Sequence, residues 1–216
     1  MKVIVFGSTG NTGLEVIKQG LAQGHKVAAV ARNIAKLSCL DNRLEALRCD
    51  VFNPQAVKRA LDSFKPDVVI SCLGVHGTTP WNRTTLYSEA TGIICAAMRA
   101  TETTKRIICI SSWASQKAVE NAWFIEYLLK PTLFSGFIYD MALMENNLIK
   151  SDMDYTIVRP PGLVDKPATG KLAIETGKVS CTNTKWTITR ADLAHILLDA
   201  AVNHLYSRQA IAVANV

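Results

Sequence analysis

The sequence predicts an α/β fold: a doubly wound parallel sheet with helices on both faces, in a single domain spanning 1–216. Three observations carry this prediction. Short apolar, β-branched runs recur at 2–6, 26–31, 44–49, 67–73, 106–111 and 154–159. Longer stretches with helical spacing separate them, near 11–24, 54–64, 84–101 and 140–151. Strands that alternate with helices need crossover connections, which set parallel strands side by side beneath helical layers. The third observation is that "KVAAVA" and "DVVISCLG" are almost continuously apolar, as strands buried on both faces should be. With 216 residues the chain can bury roughly 70–75% of its unfolded surface in one core.

Composition narrows the function classes. A hydrophobic content of 49% argues against disorder. The formal net charge of +6 is scattered along the chain, without the basic stripe that nucleic-acid binding favours. A mild positive excess suits anionic small ligands. The six cysteines, at 39, 49, 72, 95, 109 and 181, contain no C-x-x-C pair and mostly sit in apolar runs. Buried free thiols in a reducing compartment are expected, not a zinc or dithiol site. The four histidines are dispersed and lack carboxylate spacing, so a metal site is not expected. The opening "MKVIVFG" is too short for an export signal, and Glu126, Lys130 and Pro131 interrupt the apolar stretch 121–139. A soluble cytoplasmic protein is expected.

Taken in order, the elements place the chemistry. The first strand ends at Phe6, and Gly7, Gly10 and Gly13 follow as G-x-x-G-x-x-G at the start of a helix. Gly7 permits a tight turn, Gly10 lets backbone approach a pyrophosphate, and Gly13 lets helix and strand pack closely. The N–H groups near Asn11 and Thr12 would then face the anion, aided by the helix dipole. The second strand ends at Arg32, where an NAD site usually carries Asp or Glu. A guanidinium cannot accept ribose hydroxyls but can clamp a 2′-phosphate, and Lys36 lies one helical turn on. NADPH is therefore expected over NADH. Asp50 and Val51 end the third strand; Asp50 could accept a bond from adenine or cap the next helix. Leu73 and Gly74 end the fourth strand at the carboxyl edge, and His76 follows in the loop. The connection 113–138 is long and aromatic, with Trp113, Trp123, Phe124, Tyr127, Phe134 and Phe137. It reads either as a wall of a substrate site or as a small satellite core. The tail adds a strand at "KLAIET", a helix with Thr189 as N-cap, and a last strand at "QAIAVANV".

These residues bring a family into view. "FGSTGNTG", "VARNIAKL", "CDV", "RTTLYSEATGIICAAM", "RPPGLVDKPATGKL" and "RADLAH" together resemble the atypical short-chain dehydrogenases, and among them the NADPH-dependent flavin reductases, or biliverdin-IXβ reductases. The resemblance covers nearly the whole chain. It implies a Rossmann-like, NmrA-like NAD(P)-binding domain, usually monomeric, that accepts flavins and linear tetrapyrroles loosely. It further implies that Gly7, Thr9, Gly10, Asn11 and Thr12 hold the pyrophosphate, and Arg32 and Lys36 the 2′-phosphate. Asp50 and Val51 would hold adenine, and Leu73, Gly74 and Val75 the ribose side. Ser111 and Ser112 would sit by the nicotinamide, with Pro160, Pro161, Gly162 and Leu163 against its amide end. Two departures bear on the substrate: Gly162 stands where mammalian members carry histidine, and 113–138 is longer and more aromatic.

Reducing a carbonyl needs a positioned proton donor. The Tyr-x-x-x-Lys pair of classical short-chain dehydrogenases is missing: Tyr87, Tyr127 and Tyr139 are followed four positions on by Thr91, Pro131 and Leu143. Hydride delivered to a flavin or a tetrapyrrole enters a delocalised ring, where an enzyme-supplied proton matters less. The sequence therefore favours a reductase that holds two flat π-systems together, acting on a flavin, biliverdin or quinone. Ser112 is the candidate catalytic group, unless its hydroxyl only bonds neighbouring backbone; His76, Trp113 and Trp123 are candidate substrate contacts. The competing reading is a non-catalytic NADPH sensor resembling the NmrA-like regulators.

Overall fold

In the computed structural model, which describes residues 1–35, 37, 41–75, 83–102, 104–116 and 135–216, the chain forms the expected three-layer α/β arrangement. Six strands, β1 (Lys2–Phe6), β2 (Lys26–Ala31), β3 (Glu45–Arg48), β4 (Val68–Ser71), β5 (Arg106–Ile110) and β6 (Asp154–Arg159), follow the predicted runs closely. Helices α1 (Asn11–Ala22), α2 (Pro54–Phe64), α3 (Leu86–Thr101) and α4 (Ser135–Ile149) occupy the intervals, and α5 (Arg190–Val202) lies near the C-terminus. Four further strands are β7 (Gly162–Val164), β8 (Leu172–Thr176), β9 (Thr187–Thr189) and β10 (Gln209–Asn215).

The main sheet runs β3-β2-β1-β4-β5-β6-β10-β8. All of its neighbours are parallel except β8, which pairs antiparallel to β10. Side chains alternate across each strand, so one strand feeds two cores. Val3, Val5, Val27 and Ala29 pack under α1 and α5 with Val16, Ile17, Leu193 and Leu197. Ile4, Phe6, Ala28 and Val30 pack on the other face with Val57, Leu61, Ile94 and Met144 of α2, α3 and α4. This two-sided burial is why the strands read as continuous apolar runs. Each buried Val, Ile or Leu side chain contributes about 1.5–3 kcal/mol. The strand order reverses between β1 and β4, and open α/β sheets bind ligands in the crevice above such a point.

Two helices start with side-chain caps, the second of them at the residue expected from the sequence. Asn53 Oδ1 accepts the Ala56 N–H (3.0 Å) ahead of Pro54, and Thr189 Oγ1 accepts the Asp192 N–H (3.0 Å). At the opposite edge of the sheet, the buried Arg106 guanidinium donates to the carbonyls of Ala200 (3.1 Å) and Leu205 (2.6 Å) at the end of α5. Cys49, Cys72, Cys95, Cys109 and Cys181 are buried free thiols, as expected; Cys39 lies outside the described residues.

Two features correct the sequence reading. The helix placed at 140–151 spans Ser135–Ile149, so 113–138 is not one continuous loop. Met141, Met144 and Leu148 are buried and Phe137 packs beside them, so the apolar period extends one turn earlier, through Gly136. The second feature is the small parallel pair β7–β9, which the sequence did not suggest. Three-residue strands are too short for a hydrophobic period to register.

Candidate functional site

The site begins where β1 gives way to α1. Gly7 has φ +73°, and a Cβ there would lie 2.4 Å from the Cys72 carbonyl oxygen. A Cβ on Gly13 would lie 2.4 Å from the Gly7 carbonyl oxygen. The turn thus packs backbone against backbone on two sides. Gly10 N–H donates to Gly7 O (3.1 Å), and the buried Ser8 hydroxyl donates to Val30 O (2.7 Å), tying the turn to β2. Ser8 was not singled out from the sequence; only the paired geometry of β1 and β2 reveals it. Gly10 is the N-cap of α1 and has no side chain to offer its N–H groups, and the first turn holds no acidic residue. An uncapped helix start of this kind suits an anion. Asn11 is turned aside: its Nδ2 donates to Asp165 Oδ2 (3.2 Å), and Asp165 Oδ1 pairs with Arg190 Nη1 (2.8 Å).

A cavity of about 390 Å³ opens over the carboxyl ends of β1 to β4. It brings together Gly7, Thr9, Gly10, Arg32, Asp50, Val51, Leu73, Gly74 and Val75 from the predicted set, joined by Cys49, Cys72 and Thr84. Arg32 is exposed at the end of β2, while Lys36 lies outside the described residues. Asp50 does not cap α2, a role that Asn53 takes; its Oδ1 accepts the Phe52 N–H (3.1 Å) instead. Burial pushes the Cys72 thiol up to about 12. Burial, with Asp50 adding to it, pushes the Cys49 thiol up to about 11. Both stay neutral near pH 7 and leave the cavity floor uncharged.

The fourth-strand edge is set by a residue that the sequence reading passed over. Tyr87 Oη accepts the Val75 N–H (3.3 Å), fixing the Leu73–Val75 backbone that lines the cavity. Tyr87 is itself placed by Asp140 of α4, whose carboxylate accepts the N–H groups of Tyr87 (2.7 Å) and Ser88 and the Ser88 hydroxyl. A carboxylate from one helix thereby caps the start of another.

At the ends of β5 and β6 the predicted side chains are engaged with one another and with neighbouring backbone. Ser111 is buried, and its hydroxyl donates to Glu145 Oε1 (2.5 Å), so its side chain faces away from the crevice. Ser112 Oγ accepts the Ala114 N–H (3.1 Å), the backbone role that was its alternative; its own O–H remains able to donate. Trp113 is only 7% exposed and packs with Cys181, Ala212 and Ala214, edge-on to Trp186. Its indole packs in a satellite core, the alternative reading of this stretch, and is not among the residues that line the cavity. Pro160 O accepts the Trp113 N–H (3.0 Å). Pro161 follows it, half-buried. Gly162 N–H donates to Trp186 O (3.2 Å), and Leu163 packs on the α1–α5 core. Thr12 is buried in α1. His76 and Trp123 lie outside the described residues.

Residues 7–204 match the profile of a family described as NAD(P)H-binding. The chain belongs to this NAD(P)H-binding family. An uncharacterized chloroplastic protein of Arabidopsis thaliana is 29% identical over 181 residues, covering 81% of this chain and 63% of its own length. The chain therefore spans less than two thirds of that relative. Among solved structures, an anaerobillin reductase from Escherichia coli O157:H7 superposes with TM-score 0.81 at 22% identity, covering 100% of this chain and 97% of its own. A candidate NADH-flavin reductase from Streptococcus pneumoniae TIGR4 superposes with TM-score 0.81 at 21% identity over 100% of both chains. At these identities what is shared is the fold: one Rossmann-like NAD(P)H-binding domain. Among the described residues of this member no helix is long and apolar enough to cross a membrane, and no group of His, Cys, Asp and Glu could hold a metal ion.

Proposed function

We propose that this NAD(P)H-binding protein is an NADPH-dependent reductase that passes hydride to a flavin or a related conjugated acceptor, such as a linear tetrapyrrole or a quinone. The observation that carries the reading is Arg32, which lines the dinucleotide cavity where an acidic residue would select NADH. The cradle fits a dinucleotide, because Gly7 and Gly13 leave no room for a Cβ and the α1 N-terminus is uncapped. Gly7, Thr9 and Gly10 would receive the pyrophosphate, and Arg32 the 2′-phosphate. Leu73, Gly74 and Val75, held by Tyr87, would support the ribose. Bound NADPH supplies the hydride. Ser112 stands at the carboxyl end of β5 and can donate its hydroxyl proton to an acceptor atom, but the sequence has no Tyr-x-x-x-Lys pair. The residues hold and orient, and a delocalised acceptor spreads the incoming charge. The described neighbours named for flavin and anaerobillin reduction support this acceptor class.

The test is NADPH oxidation on adding flavin mononucleotide, followed by the fall in near-ultraviolet absorbance, with NADH as comparison. Turnover with NADPH well ahead of NADH is expected. Tight NADPH binding with no turnover across flavins, quinones and tetrapyrroles would replace the reductase with a nucleotide sensor.

A further inference from the structure

Behind the ends of β5 and β6 lies a charge that the proposed chemistry does not use. Glu145 of α4 is 0% exposed, and its carboxylate is surrounded by donors. Oε1 receives Ser111 Oγ (2.5 Å), Ser115 Oγ (2.6 Å) and Arg159 Nε (3.1 Å). Oε2 receives Gln116 Nε2 (3.0 Å) and Arg159 Nη2 (2.6 Å). The third guanidinium nitrogen, Arg159 Nη1, donates to Lys178 O (3.0 Å). A buried bidentate pair is a weak source of net stability, because desolvation offsets most of its attraction. Its retention here calls for another role.

The partners of Glu145 suggest where to look for it. Ser111, Ser115 and Gln116 belong to the strap that leaves β5, and Arg159 is the last residue of β6, immediately before Pro160. These two segments leave the carboxyl ends of the neighbouring strands β5 and β6, where the proposed reading puts the nicotinamide. They are also joined to each other, by Ser111 N–H to Val158 O (2.8 Å) and Trp113 N–H to Pro160 O (3.0 Å). The strap folds back on itself: Ser115 N–H donates to Ser112 O (3.1 Å), and the single Ser115 hydroxyl proton lies within reach of both Ser112 O (2.7 Å) and Glu145 Oε1 (2.6 Å). Ser112 is thus held between two residues that Glu145 grips.

We infer that Glu145 is a positioning residue: with Arg159 it fixes both walls of the nicotinamide end, and through Ser111 and Ser115 it sets the place of Ser112. It touches neither cofactor nor acceptor. The inference rests on the reductase reading, and it separates from it because it concerns one half of the dinucleotide. The proposed adenine and 2′-phosphate contacts lie at the ends of β3 and β2, at least three strands from β5 in the sheet. A misplacement of about 1 Å at a reacting centre costs on the order of 100-fold in rate, whereas binding of the distal half should be untouched.

The experiment compares wild type with Ser115→Ala, Glu145→Gln and the double variant Glu145→Met/Arg159→Met. Affinity for adenosine 2′,5′-bisphosphate, which lacks the nicotinamide half, and for NADPH is measured by calorimetry, and kcat is measured with flavin mononucleotide. The double variant removes both charges at once, so no lone buried ion remains to unfold it; Ser115→Ala removes only a hydroxyl. The expected result is unchanged bisphosphate affinity with kcat reduced on the order of 10-fold or more in the Glu145 variants, and a smaller fall in the same direction for Ser115→Ala. A folded double variant with wild-type kcat would make the pair purely structural and overturn the inference, as would a parallel loss of bisphosphate affinity. If wild type itself turns over no acceptor, the reductase reading fails separately. The inference is then read from the ratio of NADPH to bisphosphate affinity, which the variants must lower; an unchanged ratio overturns it.

Discussion

The two ends of the crevice are built by different means. Over β1 to β4 the site is made by short segments that follow strand ends: the Gly7–Gly13 turn, Arg32, the Asp50–Val51 pair and Leu73–Val75. Its geometry comes from backbone, with glycines that touch carbonyl oxygens and a helix that begins without a cap. Over β5 and β6, where the proposed reading puts the nicotinamide, side chains arrive from far along the sequence, with Glu145 reaching from α4 to organise Ser111, Ser115 and Arg159. A backbone-built site tolerates no new atoms but needs few partners. A site built from side chains tolerates small changes of volume but fails when one partner leaves its charge or hydroxyl unpaired. The difference sets the order in which mutations should hurt.

The largest effect belongs to Gly7→Ala. The added methyl would meet the Cys72 carbonyl at 2.4 Å, and residue 7 would have to keep φ +73°. Overpacking costs about 1–3 kcal/mol, and the left-handed region adds about 1–2 kcal/mol for a residue with a Cβ. A fall in Tm on the order of 10 °C is expected in thermal denaturation, with loss of nucleotide binding. A variant that keeps wild-type Tm and nucleotide affinity would show that the turn can open, and the contrast between the two ends would weaken.

Next comes Arg32→Asp, which changes selectivity and leaves the fold alone because the side chain is exposed. A charge-assisted bond to a 2′-phosphate is worth about 1.5–3 kcal/mol, so NADPH affinity should fall roughly 10-fold to 100-fold or more. NADH affinity should stay level or improve, since aspartate can accept the ribose hydroxyls. Calorimetric titration of both nucleotides reads this directly. Equal losses for both would assign Arg32 to structure and remove the basis for choosing NADPH.

The same contrast explains what could be read from the sequence. The strands and the backbone-built half of the site are local: each glycine, Arg32 and Asp50 lies within a few residues of the strand end that positions it. Their meaning follows from adjacency. Glu145 and Asp140 carry no such signal. They lie in a helical stretch where acidic residues are ordinary surface choices, and only the packing of α4 against α3 and β6 shows them buried. Trp113 was open to two readings for a related reason, since an aromatic after a strand end reads alike whether it faces a ligand or a satellite core. The early start of α4 was hidden by Ser135-Gly136, which reads as a break although the apolar period continues through it.

A third, smaller effect appears only in acid. Asp192 joins the 169–170 loop, α5 and β10 by accepting Thr169 N–H (2.9 Å), Gly170 N–H (3.1 Å) and Asn215 Nδ2 (2.7 Å). Burial works to raise its pKa, but hydrogen bonds from the Thr169 backbone, Asn215, the Gly170 backbone and Thr189 outweigh it and hold the carboxyl down from 3.8 to about 2. A depressed carboxyl contributes stability that is present above about pH 4 and is lost as pH falls toward 2. In Tm profiles from pH 6 to pH 2, Asp192→Asn should start lower than wild type and converge on it in acid. A gap that stays constant across this range would mean that the network does not depend on the charge.

The smallest effect should come from Ser112→Ala, and its size decides how the hydride side works. The Ser112 hydroxyl accepts the Ala114 N–H on a strap already held by Ser111, Ser115 and Gln116, so its removal leaves the walls in place. If the acceptor's ring takes up the charge, no enzyme proton is needed in the slow step, and kcat with flavin mononucleotide should fall by less than about 10-fold, below the 100-fold or more expected for loss of an efficient general acid. Measured against solvent pH, the rate of this variant should also show no new ionisation. A loss of 100-fold or more would instead make Ser112 the proton donor. It would shift the preferred acceptor toward a localised carbonyl, and the two ends of the crevice would then differ in chemistry as well as in construction.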